Sequence, residues 1–106
     1  MPKYLVEASY TAEGLKGILK EGGSSRRSVV EGAAKALGGS VESFYYVFGE
    51  DDVVVVLDLP DNTAAAAFSL AVSASGNVTS GIRVLLTPEE IDKAAKQTVQ
   101  YRAPGG

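Results

Sequence analysis

The chain has 106 residues, which is enough for one domain, with a net charge of −3 and an apolar fraction of 45%. This negative charge gives no electrostatic attraction to nucleic acid or to anionic membranes. Cysteine and histidine are both absent, which excludes disulfides, thiol catalysis, a Ser-His-Asp triad and zinc or haem ligation by those side chains. A carboxylate-only Mg²⁺ or Ca²⁺ site needs neither residue, but no D-x-D-x-D-G loop supports one, so we expect no metal site and no cofactor. Any acid–base chemistry would fall to Asp, Glu, Tyr, Lys or the terminal amine.

No apolar run approaches the roughly 20 residues that a transmembrane helix needs. The first ten residues, MPKYLVEASY, lack the apolar core of a signal peptide. These two features predict a cytoplasmic protein.

The first half of the chain predicts a strand, two helical segments and a second strand. Residues 3–10 alternate between faces, and Thr11 can cap a helix that follows. Gly22-Gly23 should end that helix, and Ser24 or Ser25 should cap the next one, which ends at Gly38-Gly39. The apolar faces expected for the two helices are Leu15, Ile18 and Leu19, then Val29, Val30, Ala33, Ala34 and Leu37.

The second half begins with strands over residues 40–48 and 52–59, joined by a turn at Gly49 that we expect to adopt a positive φ. Asp61 and its neighbours should cap a helix over residues 63–75, with Phe68, Ala71 and Val72 as its buried stripe. A last strand follows over residues 78–86. Thr87-Pro88-Glu89-Glu90 then has the form of a capping box, which predicts a short helix to about residue 98.

This order of elements predicts an α+β fold, a ferredoxin-like βαββαβ sandwich with a short C-terminal helix. The four antiparallel strands should lie in the order 4-1-3-2, with both main helices on one face. We expect residues 1–98 to form the single domain and residues 99–106 a flexible tail.

The helix-free face of that sheet should be apolar in places. Strand residues 53–59 are apolar on one face, and Val54 and Val56 add apolar side chains to the other, where Leu5 and Leu85 also fall. A strand that is apolar on both faces is usually covered on both. The simplest cover for so short a chain is a second copy, so we expect a homodimer or a larger homo-oligomer, and no nucleic acid or membrane partner.

The same alternation predicts a group of charges on the helix-free face. Glu7, Asp58 and Arg83 should lie there on neighbouring strands, and Arg83 could bind a carboxylate through two hydrogen bonds. A few polar groups on an apolar surface are typical of a small-ligand site. The alternative is that these charges only pair with one another within an interface between subunits. Tyr45 and Tyr46 are successive, so one of them should lie on this face, either as a ligand contact through its hydroxyl or as an interface residue. The parity of the strand does not decide which of the two it is.

The segments LGGSVESFYY, SFYYVFGEDDVVVVLDLPD and ASGNVTSGIRVLLTPEE, in this order and spacing, resemble the GYD-domain family. The resemblance covers the chain to about residue 94, and it implies a dimeric α+β barrel whose activity is mostly unassigned. The namesake motif falls on Gly49, Asp51 and Asp52, with Asp51 in the place of the family's Tyr. The acids beside Gly49 are typical of an exposed hairpin turn, and the alternative is a carboxylate at a pocket rim or cation site, for which Asp52 is the better residue.

Two functions follow from these patterns. The first is an oligomeric module that binds or senses a small organic molecule in the cleft between sheet and helices, with no catalytic residue. The second is a cofactor-independent isomerase or oxygenase-like enzyme of the same barrel type, with Glu7 or Asp58 as a base whose pKa is raised by burial.

Overall fold

The computed structural model describes all residues from 1 to 106. The elements in chain order are β1 (Lys3–Tyr10), α1 (Ala12–Glu21), α2 (Gly23–Ala36), β2 (Ser40–Tyr46), β3 (Val53–Asp58), α3 (Asn62–Ala74), β4 (Val78–Leu85) and α4 (Pro88–Ala95). This order confirms the predicted βαββαβ pattern, with the first helical region divided in two. No helix has the length and apolar character needed to cross a membrane.

The four strands form one antiparallel sheet in the order β2-β3-β1-β4, as predicted. Strand β1 lies between β3 and β4, and in its two registers Leu5 is opposite Val56 on one side and Arg83 on the other. The sheet and helices are compatible with a ferredoxin-like fold. A single sheet face carries the packed helices, because one core of apolar residues joins β1 and β3 to α2 and α3.

That core consists of alternate residues of the two central strands and a few small or aromatic helix residues. Tyr4, Leu57 and Leu59 are the largest fully buried side chains. The hydroxyl of Tyr4 donates a hydrogen bond of 2.6 Å to Asn62 at the start of α3, so even the polar atom of this buried ring has a partner. The remaining buried residues are Val6, Ala8, Ala34, Val53, Val55, Ala65 and Phe68.

Strand β2 contains an irregularity that the alternation pattern alone did not reveal. Val41 pairs with Leu57 and Ser43 with Val56, so Glu42 has no opposite residue and forms a bulge. The extra residue changes the parity of the strand, and Val41 and Phe44 therefore both pack toward the helices. The consequence is that Tyr46 faces the core and Tyr45 faces away from it.

Three of the predicted helix caps are confirmed, and one is wrong. Thr11, Asp61 and Thr87 each accept a hydrogen bond from a backbone amide in the first turn of their helix, and Thr87 forms the full capping box with Glu90. Neither Ser24 nor Ser25 caps α2, because only Gly22 separates α2 from α1. Gly22 has a φ of 86°, a left-handed value at which the chain passes directly from α1 into α2. No other residue lies between the two helices, so a serine cannot take the cap position.

The predicted apolar stripes are only partly buried. In α2 the residues Val30, Ala34 and Leu37 pack on the core, whereas Val29 and Ala33 are exposed. In α3 Phe68 and Val72 pack as predicted, but Ala71 is exposed. Helix α1 has no buried residue at all, and Leu19 is 86% exposed. Three-and-four spacing therefore identified the helices correctly but did not show how much of each apolar face the sheet could cover.

The C-terminal segment, residues 86–106, extends away from the rest of the domain, and we call it the C-terminal arm. Helix α4 ends at Ala95 rather than near residue 98, and every residue of the arm is exposed. The radius of gyration is 16.9 Å, compared with about 13 Å for a compact chain of this length. The arm carries the exposed apolar side chains of Leu86, Ile91, Val99 and Tyr101.

Candidate functional site

The sheet face opposite the helices, which we call the open face, holds the predicted group of charges. Glu7, Asp58 and Arg83 all lie on it, as the alternation predicted. The half-buried Val54 and Val56 lie on the same face, beside Leu5 and Leu85. No element of this chain packs over these residues.

The charges of the open face form two groups of ion pairs. The Lys3 ammonium is 2.8 Å from a carboxylate oxygen of Asp58 and 2.7 Å from one of Glu42. The Arg83 guanidinium is 3.1 Å from a carboxylate oxygen of Glu7. The hydrogen bond to Asp58, and then the one to Glu42, raise the pKa of Lys3 above its ordinary value of 10.5.

Neither Glu7 nor Asp58 is available as a free base in this subunit. Each has a cationic partner at hydrogen-bonding distance, and neither is fully buried. A carboxylate base needs a raised pKa, which comes from burial without a cationic partner. The open face therefore presents paired charges on an apolar surface.

The two successive tyrosines lie on opposite faces of the sheet. Tyr45 is 69% exposed and lies on the open face, next to Val54. Tyr46 lies on the helix side, where its hydroxyl donates a 3.1 Å hydrogen bond to the carbonyl of Gly23. Its ring packs edge-on against Phe44, with 5.3 Å between the ring centroids. The structure thus brings Tyr45 to the side of Glu7, Asp58 and Arg83 and separates Tyr46 from them.

The turn between β2 and β3 is attached to β1 by hydrogen bonds. The carboxylate of Asp52 accepts a 2.9 Å hydrogen bond from the backbone amide of Tyr10. The hydroxyl of Ser9 is 2.9 Å from the carbonyl of Glu50 and 3.3 Å from the carboxylate of Asp51. Both acids of the predicted motif therefore have structural partners within the chain.

One expectation for this turn is wrong. Gly49 does not have a positive φ, whereas Gly22, Gly38, Gly76 and Gly105 do. The turn extends from residue 47 to residue 52. The carbonyl of Asp52 accepts a hydrogen bond from the amide of Val47, and the amide of Asp52 donates one to the carbonyl of Ala8. The Asp52 carboxylate accepts a third, from the amide of Tyr10. Because the connection is longer than a two-residue hairpin loop, it does not require a left-handed residue.

A cleft of about 230 Å³ lies on the helix side of the sheet, where α1 and α2 meet the ends of β1 and β4. We call it the polar cleft. Its charged lining residues are Glu13, Glu21 and Arg26, and the phenol of Tyr10 forms part of its wall. Gly14 and Gly17 line it from α1, and the remaining lining residues are Ile18, Ser75, Asn77 and Val78.

A smaller apolar space of about 30 Å³, which we call the apolar crevice, adjoins the polar cleft. It lies between the sheet and helices α2 and α3, and it is lined by Phe44, Phe68 and Val72 among other core residues. Tyr10, Arg26 and Val78 line both spaces. These residues therefore form the boundary between a charged opening and the apolar core.

Burial raises the pKa values of the two tyrosines near this boundary. It raises the pKa of Tyr10 above 10.0, with a further increase from the nearby Tyr46 and an opposing effect of Arg26. It also raises the pKa of Tyr46, again opposed by Arg26 and by Arg27. Both hydroxyls therefore remain protonated at neutral pH and keep their capacity to donate hydrogen bonds.

The sequence patterns did not predict the polar cleft. Its residues come from two stretches of the chain, 10–26 and 75–78, and only the fold brings Tyr10, Arg26 and Asn77 together. Two features of the sequence point toward it in retrospect: Arg26-Arg27 is an isolated basic pair, and Gly14 and Gly17 leave one helix face without side chains. No group of three or more carboxylates is placed to hold a metal ion.

A family model matches most of the chain. No curated protein is similar to this sequence. The model of the GYD domain matches residues 4–95, which includes all four helices and every strand residue except Lys3. The match confirms the resemblance found in the aromatic strand, the turn at Gly49 and the Thr-Pro-Glu-Glu segment. The chain therefore belongs to the GYD domain family, a family of unassigned function.

Proposed function

We propose that the protein is a homo-oligomeric module that binds a small organic molecule in the cleft between its sheet and its helices. The observation that carries this proposal is the boundary formed by Tyr10, Arg26 and Val78, where the polar cleft adjoins the apolar crevice. A concave site with apolar walls and a few polar groups is the usual composition of a small-molecule site.

The open face supports association of two copies, sheet against sheet. Leu5, Val54, Val56 and Leu85 are half-buried apolar side chains on the sheet face opposite the packed helices. The ion pairs beside them already satisfy their charges within one subunit, which lowers the cost of burying them in an interface. An isologous dimer would cover both copies of this face at once and would form the dimeric α+β barrel.

The C-terminal arm also supports association. An isolated helix as short as α4 is marginal in water, and its apolar residue Ile91 contacts no core of its own chain. The arm extends beyond the packed part of its own subunit. We therefore expect it to bind a second copy of the chain.

The paired charges favour a binding module over the alternative, a cofactor-independent enzyme. An enzyme without histidine would need a buried carboxylate free of a cationic partner. Lys3 and Arg83 instead hold Asp58 and Glu7. We therefore assign these ion pairs to the interface, and the binding of the ligand to the helix side.

Light scattering coupled to size-exclusion chromatography at low micromolar concentration tests the assembly. We expect a mass of at least twice the chain mass of 11.0 kDa. Arg83→Ala should shift the equilibrium toward the monomer, because Glu7 would be left unpaired in the interface at a cost of about 3–5 kcal/mol. In the isolated subunit the same pair is exposed, with 74% of the Arg83 side chain accessible, and should contribute at most about 1 kcal/mol to folding.

Lys16→Ala is the matched control for that experiment, because Lys16 forms an exposed ion pair with Glu13 on α1, away from the open face. It should leave the mass unchanged. A monomeric wild-type protein, or an Arg83→Ala dimer as stable as the wild type, would contradict sheet-on-sheet association.

A thermal-shift screen of small carboxylic and aromatic metabolites tests ligand binding. We expect at least one compound to raise the melting temperature of the wild type. Gly17→Phe should abolish that shift by filling the cleft, whereas Gly17→Ala should retain it, since a Cβ at Gly17 meets no atom within 4 Å. A shift that persists in Gly17→Phe would place the ligand elsewhere, and the absence of any shift would contradict the binding function.

A further inference from the structure

We propose that the ligand of the polar cleft is a small monocarboxylic acid with an aromatic or branched apolar chain, which binds Arg26 through its carboxylate and the apolar crevice through its chain. This inference rests on the proposed function and adds the chemical class of the ligand.

Arg26 is a cation without an anionic partner. No carboxylate oxygen of the chain lies within 4.0 Å of its guanidinium, although Glu13 and Glu21 line the same cleft. The side chain is half-buried beside the two tyrosines rather than extended into water. A guanidinium held in this way presents its planar N–H groups to an incoming carboxylate, which it binds through two parallel hydrogen bonds.

Tyr10 supplies a second polar contact at the same place. Tyr10 and Arg26 both line the polar cleft and the apolar crevice, so the two side chains are neighbours at the boundary between these spaces. A protonated phenol can donate a hydrogen bond to a carboxylate oxygen. The guanidinium and the phenol together therefore fix the position of a carboxylate at the boundary between the two spaces.

The apolar chain of the ligand follows from what lies behind that boundary. Phe44, Phe68 and Val72 line the crevice, which has a volume of about 30 Å³ and would have to widen to admit a whole ring. Aromatic and branched aliphatic groups are the chains that such a lining accommodates. A cleft of about 230 Å³ is also smaller than the roughly 300–1,000 Å³ of sites for drug-sized ligands, which restricts the ligand to a small molecule.

The two glutamates restrict the charge of the ligand. Glu13 and Glu21 line the walls of a cleft whose one cationic lining residue is Arg26, and the Glu13 carboxylate is in addition paired with Lys16 at 3.4 Å. A second carboxylate on the ligand would lie close to these like charges and would be repelled. The electrostatics of the cleft therefore favour one carboxylate over two.

Isothermal titration calorimetry with three related probes tests this class. Phenylacetate carries one carboxylate, phenylacetamide replaces it with a neutral amide, and phenylmalonate adds a second carboxylate to the same ring. We expect the full-length wild type at pH 7 to bind phenylacetate at least about tenfold more tightly than either of the other two, which is the lower range for a hydrogen bond to a charged group.

Arg26→Gln should lower the affinity for phenylacetate at least about tenfold and remove its preference over phenylacetamide. Arg27→Gln is the matched control, because Arg27 is the next residue of the same helix and lines neither the cleft nor the crevice. Arg26→Lys retains the positive charge without the planar group and should recover part of the affinity. Circular dichroism of each variant checks that it is folded.

Each outcome separates this inference from the proposed function. Equal affinity for phenylacetate and phenylacetamide, lost in Gly17→Phe, would overturn the acid class while supporting a ligand site in the cleft. Equal affinity of Arg26→Gln and wild type for phenylacetate would overturn the role of Arg26. No heat of binding for phenylacetate at millimolar concentration would also overturn the inference, whereas the proposed function would then depend on the thermal-shift screen alone.

Discussion

Individual glycines have opposite roles in this fold. A Cβ added at Gly39 would overlap the carbonyl oxygen of Asp58, and only a backbone shift can relieve this overlap. Gly17 lies inside α1, where a Cβ meets no atom within 4 Å. Gly39 is therefore required by the close approach of the chain before β2 to the end of β3, whereas Gly17 only weakens its helix.

We expect Gly39→Ala to destabilise the domain by about 1–3 kcal/mol, the usual cost of overpacking. Gly17→Ala should stabilise it by about 0.5–1 kcal/mol, because alanine is the better helix former. Urea unfolding followed by circular dichroism measures both. A neutral Gly39→Ala would show that the two segments can separate without cost.

Burial of tyrosine hydroxyls should make the protein sensitive to alkaline pH. The pKa values of Tyr10 and Tyr46 are raised above 10.0 in the folded state, mainly by burial. Above pH 10 the unfolded chain therefore loses protons that the folded chain retains, so stability falls as the pH rises. The raised pKa of Lys3, caused by Asp58 and Glu42, acts in the same direction above 10.5.

Spectrophotometric titration at 295 nm tests this directly. The double variant Tyr10→Phe/Tyr46→Phe should lose the most alkaline part of the tyrosine titration and should keep more of its stability above about pH 10. Tyr101→Phe, in the exposed arm, is the control and should not remove that part. A titration with the same alkaline part in the double variant would contradict the burial of these hydroxyls.

At the scale of elements, the bulge at Glu42 decides which side chains of β2 reach the core. Without it, Val41 and Phe44 would lie on opposite faces, because strand residues alternate. With it, both pack toward the helices. Deletion of Glu42 would convert the bulge into a regular strand and leave the faces of all other residues unchanged.

We therefore expect deletion of Glu42 to cost no more than about 1 kcal/mol, the value of the exposed ion pair with Lys3 that it removes. Deletion of Tyr45 is the matched control. It should cost roughly 3–5 kcal/mol or prevent folding, because it moves Phe44 or Tyr46 out of the core. Thermal unfolding of the two deletion variants distinguishes them, and equal destabilisation would contradict the bulge.

At the scale of the whole molecule, the C-terminal arm is the part without a partner. The body formed by residues 3–85 contains the entire core, and none of its buried residues belongs to the arm. Removal of the arm should therefore leave the folding of a single subunit unchanged. The proposed dimer, in contrast, should be weakened if each arm packs against the other copy.

Truncation after Leu86 and the point variant Ile91→Asp test this arrangement by sedimentation equilibrium. We expect both to raise the dissociation constant of the dimer at least about tenfold, since burial of one large aliphatic side chain contributes about 1.5–3 kcal/mol. Glu89→Gln, on the polar side of the same helix, is the control. Unchanged dissociation constants for both variants would show that the arm takes no part in assembly.

Local patterns in the sequence determined the order of the elements, the strand order and most of the helix ends. Alternation in residues 3–10 and 53–59 identified the two central strands, because each of them has one fully buried face. The caps at Thr11, Asp61 and Thr87 were recognisable because a cap depends only on residues within one turn. The placement of Glu7, Asp58 and Arg83 on one face followed from the same alternation, since side chains in regular strands repeat every two residues.

The tertiary structure alone decided the features that depend on distant residues. The bulge at Glu42, and with it the orientation of Tyr45 and Tyr46, arises from pairing with β3 rather than from the residues of β2. The polar cleft likewise exists only where α1, α2 and the ends of β1 and β4 meet, so no local pattern brings Tyr10 and Arg26 together. The sequence also did not predict how much of each helix the core buries. Amphipathic spacing shows which face of a helix is apolar, whereas only the neighbouring elements determine how much of that face is covered.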